Sequence, residues 1–306
     1  MLSQLFHYTR HRLLASGDIR LAMTILVKNE ADIIRENIRT HASLGVDCFV
    51  VMDNGSTDGT REILAELQQH YELHIIDQPA QSYRQRQWMT ELAFVARDKM
   101  GADWVISNDA DEFWIPKEGD LKKDLDRKGS VITCHRYNML LTEDCHKPGY
   151  RFHDSTLRVN HPIYYEKQAQ RIAPNISIVL AKIAPKVIIN PYGLFRIKGG
   201  NHRALHIANA TQQRFTQDIT VYHYPIRSYA QFERNVTHRQ KLAQLKDIRM
   251  GDHYFRWVKI LEAGKLEEEF NRFVFSDKDI DVLSRFGVVV EDDTPHQTIL
   301  RANPAD

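Results

Sequence analysis

The 306-residue chain carries 41 Lys and Arg against 40 Asp and Glu, a formal net charge of +1, with 42% hydrophobic and 26% charged residues. That length can bury a sizeable core in one large domain, or one domain with an extension, and that balance excludes a disordered chain and a highly charged nucleic-acid-binding surface. Cys48, Cys134 and Cys145 stand far apart without CxxC spacing, which excludes a disulfide framework and a thiolate metal site and fits a reducing cytosol.

The opening MLSQLFHYTRHRLLASGDIR sets Arg10, Arg12 and Arg20 among apolar pieces too short for a signal-peptide core. It predicts a solvated N-terminal helix packed on the domain, and its basic amphipathic character also suits peripheral contact with the inner face of a membrane. No run of about 18 apolar residues follows, so the expectation is a cytoplasmic protein, soluble or peripheral, with its oligomeric state open. LAMTILV (21–27) is an apolar run of buried-strand length, and Ala31, Ile34, Ile38 and Ala42 then recur at helical spacing until Gly45. DCFVVMD (47–53) reads as a second strand, NGSTDGT as turn and cap, and Ile63, Leu64 and Leu67 as a second helix. ELHIID (72–77) reads as strand three, residues 84–100 as a helix presenting Trp88, Leu92, Val95 and Ala96, and ADWVIS (102–107) as strand four.

Such alternation predicts an α/β, Rossmann-like, mostly parallel sheet covered by helices, with ligands outside the carboxyl ends of its strands. Beyond Pro116, SVITCHRYNMLL (130–141) and PKVIINPYGLFRI (185–197) read as strands. From Ser228 the pattern is helical: Tyr229, Phe232 and Val236 share a face, two helices meet at Gly264, and Ser276 caps a last helix that Gly287 ends.

SNDADEFWI (107–115) places Asp109, Asp111 and Glu112 directly before Phe113, Trp114 and Ile115. Carboxylates crowded beside apolar side chains repel one another and lose hydration, so a bound cation is the first candidate to offset the cost. Residues at i and i+2 of an extended segment point the same way, which lets Asp109 and Asp111 face one ion, while turn capping is the plainer alternative. Asp53 ends the second strand and Asp109 follows the fourth, so both are expected in one crevice. Phe113 and Trp114 suit a core better than an exposed binding surface. Between Glu166 and Asp218 there is no acidic residue, yet Lys167, Arg171, Lys182, Lys186, Arg196, Lys198, Arg203 and Arg214 all occur. That stretch suits either an anionic ligand or lysine-protected strand edges.

MTILVKNEADIIRENIRTHASLGVDCFVVMDNGSTDGT followed by ADWVISNDADEFW resembles the nucleotide-sugar-binding half of GT-A-fold glycosyltransferases, specifically family 2-like bacterial enzymes. The similarity runs on through GNHRA (200–204), VYHYPIRSYAQFERN (221–235) and HYFRW (253–257), covering about residues 20–270. The resemblance implies a basic segment at 1–20 and a GT-A catalytic domain at 21–227, its nucleotide-sugar half at about 21–116 and its acceptor half at about 117–227. A helical extension at 228–306 completes the expected organisation. It also implies a metal-dependent, inverting, hexosyltransferase-like enzyme that moves a sugar from a nucleotide-diphosphate donor to a saccharide or lipid-linked glycan in cell-envelope polysaccharide synthesis. A non-catalytic sugar-nucleotide-binding or scaffold protein is the alternative, and an aspartate-nucleophile phosphatase is disfavoured because the motif follows the fourth strand.

On that resemblance Val27, Asn29, Glu30, Asp53 and Asn54 line the base and ribose pocket, although Asn29 and Glu30 also suit helix capping and Asp58 reads as a cap. Arg84 and Arg86, at the start of the third helix, are candidates for the donor phosphates or a solvated face. Asp109 and Asp111 would hold Mn²⁺ or Mg²⁺, hard ions that prefer oxygen, with Asp109 also near the ribose. His202 and His223 match the family's downstream histidines, as metal ligands or as structural residues. Inverting transfer needs a carboxylate base, for which Asp218, Glu166, Asp154 and Glu112 are unranked candidates.

Overall fold

A computed structural model describes residues 2–78, 85–123, 125–166, 168–174, 176–199, 201–243 and 250–304. Helix α1 (Leu2–Leu14) leads into β1 (Leu21–Val27), α2 (Ile34–Ser43), β2 (Cys48–Asp53), α3 (Thr60–Leu67), β3 (Leu73–Asp77), α4 (Gln85–Met100) and β4 (Trp104–Asp109). There follow β5 (Glu112–Pro116), β6 (Val131–Asn138), β7 (Leu141–Thr142), β8 (Leu157–Val159), α5 (Ala169–Ile172), β9 (Lys186–Ile189), β10 (Leu194–Lys198), β11 (Arg203–His206), α6 (Asn209–Gln212) and β12 (Gln213–His223). The chain continues with α7 (Tyr229–Ala243), α8 (Asp252–Glu262), α9 (Leu266–Asn271), β13 (Val274–Phe275), α10 (Asp277–Arg285), β14 (Val289–Glu291) and α11 (Thr294–Ala302).

Eight strands form one sheet in the order β3-β2-β1-β4-β9-β6-β12-β5. The first four are parallel, and β9 then runs antiparallel to both β4 and β6. β1 and β2 are apolar almost throughout because the parallel strands are covered on both faces. On one face Trp88, Met89, Leu92, Ala93 and Ala96 of α4 pack on Ala22, Cys48, Val50 and Val105. Strand order reverses between β1 and β4, so the carboxyl ends of those two strands border the crevice that such sheets offer to ligands.

Two compact units emerge, one of Met1–Arg136, Ala184–Tyr222 and Leu300–Asp306, the other of Tyr137–Ile183 and His223–Ile299. These divisions differ from the expected cuts after residues 20 and 227. Helix α1 belongs to the first unit because it buries one face: Tyr8 donates to the Lys128 carbonyl, and His11 meets Asp103 at 2.6 Å and stacks on Tyr192 at 3.8 Å. The C-terminal helices share a core with residues 140–180, where Leu141, Val159 and Leu180 pack with Phe232, Val236, Trp257 and Phe273. β7 pairs with β13 and β8 with β14, pairings across more than a hundred residues that local periodicity does not signal.

Two other expectations change. The run at 185–197 is two strands, parted by a 3₁₀ turn at Pro191–Gly193 that Asn190 caps through the Tyr192 N–H at 3.0 Å. Ser276 does cap α10 in a capping box with Asp279, and Gly287 follows its end at φ +66°, but α11 comes after it and is the last helix.

Candidate active site

The first unit builds a site at the carboxyl ends of β1, β2 and β4. Val27 pairs with Asp53 across β1 and β2, and Leu26 with Asp109 across β1 and β4, so the two aspartates stand at the carboxyl ends of the strands on either side of β1. The loops after β1 and β2 fasten each other. The Asn54 N–H reaches the Val27 carbonyl at 3.0 Å, the Asn29 N–H reaches Ser56 Oγ at 2.9 Å, and Asn29 Oδ1 accepts the Thr57 N–H at 2.8 Å. Asn29 holds φ +58°, a left-handed conformation that asparagine tolerates better than other side chains bar glycine. The Glu30 N–H donates to Thr60 Oγ1, and its carbonyl receives Ile33 and Ile34 N–H as α2 begins. Asp58 accepts the Thr60 and Ala31 N–H groups at 3.1 and 3.2 Å, while the N-cap position of α3 itself is Gly59. Asp53 is buried, and one of its oxygens takes the Ser56 N–H at 2.9 Å and hydroxyl at 2.6 Å, shaping the Asn54–Gly55 turn.

Asp109 ends β4 and Glu112 begins β5, so Ala110 and Asp111 make the turn between two buried strands. Buried polar side chains brace that turn: Asn37 donates to the carbonyls of Ala110 and Glu112 at 2.8 and 2.9 Å, and Asn108 accepts the Trp114 indole N–H at 2.8 Å. Trp114 and Phe113 are fully buried and belong to the core. His41 Nε2 accepts the Trp114 backbone N–H at 2.9 Å while its Nδ1 faces the Asn37 carbonyl at 2.8 Å, which fixes the neutral tautomer with its proton on Nδ1. Complete burial pushes the His41 pKa down to about 4.

The crowded carboxylates are offset from within the protein. Lys186, fully buried on β9, places Nζ 2.6 Å from Asp109 Oδ2 and 2.9 Å from Glu112 Oε2, and donates also to Asn201 Oδ1. Asn201 Nδ2 donates to Asp109 Oδ1 at 3.0 Å, so both Asp109 oxygens are held. Arg136 reaches Glu112 Oε1 at 2.6 Å. Buried Lys186 and partly buried Arg136 therefore balance Asp109 and Glu112, and Asp111 stands half-buried at the turn between those two carboxylates.

Several candidates change standing. Glu112 is closed from solvent and its oxygens face Lys186 and Arg136, an arrangement that leaves no path to a substrate hydroxyl and does not suit a base. Asp218 is exposed beside Lys117, whose N–H donates to its carbonyl at 2.8 Å. Lys117 follows β5 at the end opposite the Asp109–Glu112 turn, so Asp218 pairs with the far end of that strand. His202 donates Nδ1–H to the Pro185 carbonyl at 3.0 Å, and burial, together with Lys186 and Arg136, pushes its pKa down to about 4, leaving a neutral ring. His223, Asp154 and Glu166 belong to the second unit. There His223 Nδ1 meets Asn138 Oδ1 at 2.7 Å, Asp154 ends a 3₁₀ turn, and Glu166 is exposed. Arg84 lies outside the described residues, and Arg86 is a first-turn position of α4.

Asn201, Arg136 and Asn37 lay outside the expected site, and Lys186 figured only among the basic residues between Glu166 and Asp218. The one available signal was a lysine set in the apolar run PKVII, since a charge inside a buried strand demands a partner.

The sequence profile described as Glycosyl transferase family 2 matches residues 24–184, more than half of the chain. No curated protein sequence matches it significantly. Among solved structures, similarity extends to S. aureus TarS residues 1–349 in complex with UDP-GlcNAc, at 13% identity and a TM-score of 0.44 over 83% of this chain and 72% of that chain. It extends also to glucosyl-3-phosphoglycerate synthase from Mycobacterium tuberculosis with Mn²⁺, UDP-glucose and phosphoglyceric acid, at 18% identity and a TM-score of 0.28 over 39% of this chain and 44% of that chain. The profile match runs from within β1 through the Asp53 loop, the Asp109–Asp111 turn and β5, segments that help build the site just described, and the chain accordingly belongs to glycosyl transferase family 2.

Proposed function

We propose that the protein transfers a sugar, with inversion, from a nucleoside-diphosphate donor to a saccharide or lipid-linked glycan acceptor in cell-envelope polysaccharide synthesis. The observation that carries this reading is the fixed Asp109–Ala110–Asp111 turn at the strand-order reversal, beside the rigid Val27–Glu30 and Asp53–Ser56 loops. The loops would hold base and ribose, and Asp109, its carboxylate oriented by Lys186 and Asn201, would meet the ribose or the diphosphate.

The residues fit a divalent cation at Asp111, a hard oxygen donor on a turn that Asn37 keeps rigid. When bound, Mn²⁺ or Mg²⁺ would neutralise charge developing on the leaving diphosphate. Asp109 fits a direct ligand less well, because the Lys186 ammonium already takes one of its oxygens at 2.6 Å. A membrane-proximal acceptor is supported by Leu5, Phe6, Leu13 and Leu14, all exposed on α1 beside Arg10 and Arg12.

Transfer and donor hydrolysis measured across a panel of nucleotide sugars, with and without Mn²⁺, test the proposal. Asp111→Ala should lower turnover at least about a hundredfold with the fold intact, the scale of losing an electrostatic stabiliser. Undiminished turnover in that variant would reject the role of Asp111, and no turnover by wild type with any donor would favour a binding module.

A further inference from the structure

Within the second unit, His153 and Asp154 lie in the 3₁₀ turn Phe152–Asp154, and His296 lies in the first turn of α11. His153 Nδ1 and His296 Nδ1 are 3.3 Å apart, and Asp154 Oδ1 stands 3.7 Å from the first and 3.8 Å from the second. The His153 carbonyl oxygen is 2.8 Å from His296 Nδ1. Counting protons shows the imbalance. That carbonyl needs a donor, so His296 carries its proton on Nδ1. His153 Nδ1 faces the same atom and must then present a lone pair, because two N–H groups cannot point at each other. Asp154 Oδ1 is too distant to receive a hydrogen bond from either ring. Three acceptor atoms thus surround a single proton.

We propose that His153, Asp154 and His296 form a binding site for a zinc-class divalent cation, one that clips the start of α11 to the Phe152–Asp154 turn. Zinc bonds of about 2.0–2.2 Å in a tetrahedron set donor atoms roughly 3.3–3.5 Å apart, so the observed spacings of 3.3, 3.7 and 3.8 Å need shifts of under about 0.5 Å to close on an ion. Two imidazoles and one carboxylate suit zinc and its neighbours in the first transition row better than Mg²⁺ or Ca²⁺, which favour oxygen-only shells. The carboxylate is held from behind, since the Arg151 N–H donates to Asp154 Oδ2 at 2.8 Å. His153 is 2% exposed in its side chain, but His296 and Asp154 are 22% and 33% exposed, so the ion has an open approach. On binding, the His296 proton passes through solvent from Nδ1 to Nε2, the ring stays neutral, and the His153 carbonyl exchanges its hydrogen bond from His296 for one from water as the ring turns toward the ion. The site does not depend on the glycosyl-transfer reading, and it gives Asp154 a role other than that of a base.

The test is a titration of the chelator-stripped full-length protein with Co²⁺ and then Zn²⁺, with Asp111→Ala as background to remove any ion held at the turn after β4. One equivalent of Co²⁺ should bind with visible d–d absorption, Zn²⁺ should displace it, and the thermal midpoint should rise with either ion. His296→Ala, in the same background, should abolish the absorption and the thermal response; if that variant does not fold, Asp154→Asn, which keeps the size of the side chain, should weaken Co²⁺ binding at least tenfold. Absence of Co²⁺ uptake at tens of micromolar, or identical titrations for the parent and the folded variant, would overturn the proposal.

Discussion

Replacing Lys186 by Met keeps a stem of similar length and removes only the ammonium, so the change isolates one charge. That ammonium is fully buried and serves Asp109 at 2.6 Å, Glu112 at 2.9 Å and Asn201. Removing one partner of a buried ion pair costs about 3–5 kcal/mol, because the charge left behind has neither partner nor water. Here two features soften the loss: Glu112 keeps Arg136 at 2.6 Å, and the Asp109 side chain is 31% exposed and can regain hydration. The lower end, about 3 kcal/mol, is therefore expected. For a cooperative unit of roughly 180 residues this is a fall of about 6–12 °C in the melting midpoint. Denaturant unfolding followed by tryptophan fluorescence reads it directly, since Trp104 and Trp114 are fully buried in the same unit. Lys186→Met combined with Asp109→Asn should recover part of the loss, because the second change removes the orphaned charge. A loss below about 1 kcal/mol for the single variant would refute the claim that a protein cation neutralises this motif, since that is the range of an exposed pair.

Acid should destabilise the protein through His41. Its folded pKa of about 4 lies below the ordinary value of 6.5, so the unfolded chain binds more protons between those limits; stability is full above pH 6.5 and falls as pH drops toward 4, by up to about 3 kcal/mol from this group. Denaturant midpoints from pH 7.5 to 4.5 measure the slope, and His41→Gln should remove the His41 share of it, leaving the share of other histidines such as His202, which burial also holds near 4. Asn29→Ala loses the bond to the Thr57 N–H and keeps a strained φ, so it should cost about 1–2 kcal/mol in the same assay, more than Asn29→Gly, which relieves the strain. At Gly129 an added Cβ would stand 2.8 Å from the ring of Trp104, whose indole N–H is held by the Asp126 carbonyl at 2.9 Å. Gly129→Ala should therefore cost about 1–3 kcal/mol by overpacking, and a neutral substitution would show that Trp104 can move.

Much of the fold was legible because its strongest signals are local. LAMTILV is β1 from Leu21 to Val27, the helices with caps and Gly stops formed where Ser276, Gly264 and Gly287 suggested, and the order of strands and helices through β4 followed from period and turn chemistry alone. β5 was hidden because EFWIP follows an acidic cluster and is too short and too uniformly buried to alternate. The second unit was hidden because its core joins residues near 140–180 to residues beyond 223, and separation in sequence leaves no periodic trace.

The site divides along the same line. By itself the sequence determined that aspartates would stand at the ends of β2 and β4, because a parallel sheet brings the carboxyl ends of its strands to one edge. Only the tertiary structure decided what each carboxylate does. Asp53 shapes a turn, Glu112 is sealed between two cations, and Asp109 is bound to Lys186, because a lysine 77 residues away is buried on β9, which the sheet sets beside β4. Partner choice among buried charges depends on distance in space, and a charge that cannot reach water takes whichever opposite charge the fold brings within about 3 Å.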